Sequence, residues 1–147
     1  MELKMKKVKV FIVCVGLSLF GGESSAFAHG EDKPGPHGGV IRMPGAFHTE
    51  VVAQGDNAID VYLLDINWKD PTVKDSSVSV SHVDGQRLTA LKCQGRENLF
   101  SCEAESGELK SGALTLKSSR LGVQGVEVTY PLPLRVGPAN DGHKGAH

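Results

Sequence analysis

FHTEVVAQGDNAIDVYLL, residues 47–64, holds two runs with apolar residues at every second position, separated by Gly55, Asp56 and Asn57. Side chains alternate between faces along an extended chain, and Gly-Asp-Asn suits a tight reversal, so the stretch predicts a β-hairpin. With a three-residue turn, Phe47, Thr49, Val51 and Ala53 share one face with Ile59, Val61 and Leu63. That face is the expected core face. His48 and Glu50 then point the other way, side by side on the first strand.

Outward from this hairpin, residues 40–43, 77–83, 87–93, 99–104, 113–118 and 126–130 are also short, alternating or β-branched. Gly, Pro, Asp or Asn falls between most of them, and no window carries a helical period over ten or more residues. With 47–53 and 58–64 they make about eight strands, which predicts an all-β chain folded as an antiparallel β-sandwich of immunoglobulin-like architecture. Pro131 and Pro133 lack the N–H that a central strand donates, so the last strand is expected at an edge.

Lys4, Lys6, Lys7 and Lys9 precede an apolar run from Val10 to Phe20, and Ala26 and Ala28 form an A-x-A cleavage site. Residues 1–28 read as a secretory signal peptide, so the protein is expected in the periplasm or secreted. The run is too short to span a bilayer, which takes about 20 apolar residues, so no membrane insertion of the mature form is expected. Cys14 lies inside that run without a small residue before it, unlike a lipidation site. Cleavage leaves 119 of the 147 residues, enough for one domain, and moves the formal charge from −1 to about −3. A mildly acidic chain is a poor ligand for nucleic acid.

Cys93 and Cys102 survive cleavage in LKCQGRENLFSCEAE, on either side of a polar turn containing Gly95, Arg96, Glu97 and Asn98. In an oxidising compartment the pair reads most simply as a disulfide across a hairpin, the alternative being two thiolates for a soft metal ion.

The ends differ in composition from this body. Residues 29–36 read as a flexible arm, 37–136 as the sandwich and 137–147 as a disordered tail, because both ends are rich in Gly, Pro, charge and His. Five of the six histidines, His29, His37, His48, His143 and His147, fall in these ends or in the first strands, a bias that suits metal capture. Cleavage after Ala28 would make His29 the first residue, whose α-amine and imidazole can chelate one ion. His37 and His48 are the next candidate ligands, and Gly38 and Gly39 would let His37 turn back toward His48. Glu50 could accept from an imidazole N–H or supply an oxygen. Met43 offers a soft thioether or fills the core. His82 reads as a surface strand residue, and Trp68 as a core or turn anchor with some scope to cover a bound Cu(I) ion.

GPHGGVIRMPGAFHTEVV, followed by the GDNAIDVYLLD hairpin, resembles a motif of small exported proteins of bacterial heavy-metal loci. It is also similar to a segment near the N-termini of periplasmic adaptor subunits of heavy-metal efflux systems. The resemblance covers residues 35–66, and His37, Gly38, Gly39, His48 and Glu50 occupy its positions. It implies binding of copper, zinc or a related ion, and an efflux component as partner. The chain lacks the long helical hairpin and further domains of an adaptor, so it is expected to act as a stand-alone metal-binding or delivery protein.

No nucleophile elbow, HExxH, phosphate loop or cofactor fingerprint occurs, and an aromatic content of 5% offers no clustered substrate surface for an oxidative copper enzyme. The expectation is a non-enzymatic transition-metal binder, copper before zinc. Its ligands would be His29, His37 and His48, with Glu50 and Met43 assisting and His143 and His147 auxiliary. The contrasting expectation is a structural or assembly sandwich with incidental histidines.

Overall fold

A computed structural model describes residues 33–136. The signal sequence with Cys14, the start of the arm with His29, and the tail with His143 and His147 lie outside the described residues.

The described chain is all-β, in ten strands. In chain order they are β1 (Val40–Arg42), β2 (His48–Gln54), β3 (Ala58–Leu64), β4 (Ser77–Asp84), β5 (Arg87–Ala90), β6 (Lys92–Arg96), β7 (Leu99–Glu103), β8 (Ala113–Arg120), β9 (Val123–Gln124) and β10 (Val128–Pro131). One antiparallel sheet has the order β1-β2-β3-β7-β6 and the other β10-β8-β4-β5, with β9 paired to β8. The expected two-sheet antiparallel sandwich is therefore present. Its β1-β2-β3 meander lies within one sheet, whereas the seven-strand immunoglobulin order divides its second and third strands between sheets. Among the described residues no helix is long and apolar enough to cross a membrane.

The β2–β3 hairpin pairs Ala53 with Ile59, Val51 with Val61 and Thr49 with Leu63, the register that a Gly55–Asp56–Asn57 turn requires. Phe47, Val51, Ile59, Val61 and Leu63 face Val80, Leu114, Leu116 and Tyr130 of the second sheet. Ala53, expected on the core face, is exposed because it lies at the hairpin end, beyond the cover of the opposite sheet.

Residues 87–93, read from their alternation as one strand, are divided between the sheets. β5 pairs β4 in the second sheet and β6 pairs β7 in the first. The buried Leu91 is the crossing point, and its N–H donates to Val80 O at 2.9 Å.

Cys93 and Cys102 lie directly opposite each other on β6 and β7 and form a disulfide. Gly95 and Arg96, expected in the turn, extend β6, and the reversal is made by Glu97 and Asn98. The bridge closes a short loop, so replacing both cysteines with serine is expected to lower stability by about 2–3 kcal/mol. Urea unfolding of the two proteins, with reductant as a third arm, measures that difference.

Candidate metal centre

The face of β2 carrying His48 and Glu50 is not left to solvent. The segment just before β1, reaching into the residues expected to form a flexible arm, folds back over it. Gly38 N–H donates to Gly35 O and Gly35 N–H to Gly39 O, both at 2.9 Å, closing a small turn around His37. A Cβ on Gly35 would collide with the Glu50 carboxylate and Ile41, and one on Gly39 with Val51 O and the Val52 side chain. Glycine at both positions lets the backbone settle directly on the sheet.

Glu50, 0% exposed, is enclosed by this turn. Its Oε1 accepts the His37 N–H at 2.8 Å and the Gly39 N–H at 3.0 Å. Its Oε2 lies 2.7 Å from His37 Nδ1. With two backbone donors holding the carboxylate as an acceptor, the ring nitrogen is the third donor. A buried carboxylate requires such partners, and this one has three.

The His37 ring lies flat on Tyr62, with centroids 3.6 Å apart and planes 5° from parallel. Tyr62 is the cross-strand partner of Glu50, so one rung of the β2–β3 ladder supplies both the acceptor and the stacking surface. Burial first, then the Asp60 and Glu50 carboxylates, push the Tyr62 phenol above its ordinary value. The His37 side chain remains 32% exposed, and its Nε2 has no hydrogen-bond partner among the described residues.

His48, 8% exposed, is held by different means. Its Nδ1 donates to Asp65 O at 3.1 Å, and its ring meets Trp68 edge-on at 5.9 Å. Because a carbonyl can only accept, Nδ1 carries the proton and Nε2 the lone pair in the neutral ring. The turn behind it is fastened by Asp65, whose Oδ1 accepts from Asn67 N–H at 2.8 Å and Lys69 N–H at 2.9 Å. Trp68 within it takes φ 64°, in the left-handed region.

The Lys69 N–H bond is the main cause holding the Asp65 carboxyl below its ordinary value, helped by Asn67 N–H and by the Arg120 and Lys69 charges and opposed by desolvation. A folded-state value that is lowered stabilises the turn above the ordinary carboxylate range, and the contribution is lost as pH falls through the lowered value. The Asp65-dependent part of the Trp68 fluorescence change, read as the difference between wild type and Asp65→Asn, is expected only below about pH 4. Asp65→Asn is expected to abolish that acid transition.

The structure thus brings His37 and Glu50 into contact and places His48 on the same face of the same strand as Glu50. Met43 follows the end of β1 opposite to Gly39. His82 is on the second sheet, its Nε2 donating to Ser111 O at 2.8 Å. Among the described residues, no three His, Cys, Asp or Glu side chains gather as a metal-holding group. Sequence reading missed the Asp65 carbonyl and Tyr62; the aromatic residue opposite Glu50 in the hairpin register was the available signal for Tyr62.

Comparison of the chain with protein-family models, with curated proteins and with solved structures gives no match.

Proposed function

We propose that this is an exported protein that binds a transition-metal ion, copper before zinc, and buffers it or passes it to an efflux component in the periplasm. The observation that carries the reading is His37: Nδ1 held by a buried carboxylate, ring stacked, and a side chain that remains 32% exposed. Metal-ligating histidines characteristically donate their second N–H to a carboxylate or carbonyl in this way. His48, with Nδ1 on a carbonyl, has the same form. His29, with its α-amine and ring, would complete the site, and His143 and His147 would serve as auxiliary ligands. Glu50 has both oxygens engaged, which suits it to supporting His37.

The disulfide removes both thiolates from the candidate ligands and suits an oxidising compartment. A structural reading is favoured by one observation, the burial of Glu50 under the 33–39 segment, since that clamp would be useful in any sandwich.

Calorimetric titration of the processed protein with Cu(II) and Zn(II) separates the two. Saturable uptake lost in His37→Ala/His48→Ala is expected, and loss on adding one residue before His29 would identify the terminal amine as a ligand. Equal uptake by the wild type and the double variant would reject the site.

A further inference from the structure

We propose, resting on the metal-binding reading, that Glu50 makes the His37 site selective for divalent ions, Cu(II) and Zn(II), over monovalent Cu(I). Glu50 is a positioning residue here and does not touch the ion. Both of its oxygens are committed, Oε1 to two backbone N–H groups and Oε2 to the ring. The carboxylate therefore cannot swing out to become a ligand, and the ring cannot turn Nδ1 outward without breaking the bond at 2.7 Å and the stack on Tyr62. Coordination through Nε2 alone follows.

The same bond fixes a negative charge directly behind the ring. A carboxylate on the far nitrogen makes the imidazole a stronger donor. Its through-space attraction for the bound ion scales with the ion's charge, so a divalent ion gains twice what a monovalent one does. Full burial of Glu50 keeps water from screening this. Among the described residues no soft donor, which would reverse the preference, sits at the His37 turn. Cys93 and Cys102 are joined in a disulfide on β6 and β7, and Met43 lies beyond the opposite end of β1 from the His37 turn.

The test compares Zn(II), Cu(II) and Ag(I), the last a redox-inert stand-in for Cu(I), on the processed wild type, Glu50→Gln and His37→Ala. Affinities come from calorimetry, and long-range proton–nitrogen NMR shows which His37 nitrogen shifts. In Glu50→Gln, divalent affinity is expected to fall about 10–100-fold, the usual effect of losing such a partner. Half the charge gives the square root of that effect, about 3–10-fold, for Ag(I). In the wild type, Zn(II) is expected to shift Nε2.

An equal loss for Ag(I) and Zn(II), or a Zn(II) shift at Nδ1, overturns the proposal while leaving metal binding intact. Should the Glu50→Gln chain not fold, competition on the wild type decides: Zn(II) displacing Ag(I) from His37 sustains the proposal, and the reverse overturns it. No binding of any ion, or binding unchanged in His37→Ala, overturns both this proposal and the metal-binding reading of His37.

Discussion

Glu50→Ala is expected to destabilise the protein by about 3–5 kcal/mol, the cost of removing one member of a buried, charge-assisted network. The carboxylate is fully buried and accepts three bonds, from His37 N–H, Gly39 N–H and His37 Nδ1–H. Alanine leaves the Gly39 N–H buried without an acceptor and opens a void where Gly35 and Gly39 were fitted against the side chain. The expected structural result is release of the 33–39 segment from the sheet. Glu50→Gln retains an oxygen for the two backbone donors, so its loss is expected to be roughly half as large. Urea unfolding gives both values, and hydrogen exchange at the His37 and Gly39 amides reports the release. A loss below about 1 kcal/mol for Glu50→Ala would mean that the clamp contributes no more than an ordinary surface pair.

Tyr130→Ala is the second large effect, also expected at about 3–5 kcal/mol. Tyr130 is fully buried on β10, at the edge of the second sheet, and its hydroxyl pairs with Thr49 Oγ1 and reaches Thr49 O at 3.2 Å on β2 of the first. Arg42 of β1 lies over the same ring, 5.2 Å from its centroid. One side chain thus joins the two sheets by packing, hydrogen bonding and a cation–π contact. Tyr130→Phe keeps the ring and removes the hydroxyl, so a loss of about 1–2 kcal/mol is expected from the unpaired Thr49 oxygen. Thermal unfolding of the two variants separates the polar from the apolar share. Equal losses would assign the whole effect to the hydroxyl.

The hairpin was legible because strict alternation and a Gly-Asp-Asn reversal specify strand, turn and register together. The partition of residues 87–93 was not, since their pattern continues unbroken through Leu91 and only the opposing sheet reveals that the chain crosses there. The site shows the same contrast. His48 and Glu50 on one face follow from the two-residue period, whereas the burial of Glu50 depends on Gly35, which in sequence reads as part of a loose arm, and on Gly39, which reads only as letting His37 turn back toward His48. His48 is held by a main-chain carbonyl, which no side-chain pattern records. A buried acid beside a glycine-rich turn leaves a faint signature: two glycines flanking a histidine, and a strand carboxylate about one hairpin away.

The four edge strands among the described residues have a consequence for self-association. β1 has 3 residues, β5 and β10 have 4 each, and β6 has 5. β5 carries Arg87, β6 carries Lys92 and Arg96, and β10 ends in Pro131, which has no N–H to donate. Exposed sheet edges are templates for a neighbour's strands, and short length, positive charge and proline are the features that blunt them. Each border of this sandwich thus offers a neighbouring copy only a few rungs, so the chain can accumulate without growing into stacked sheets.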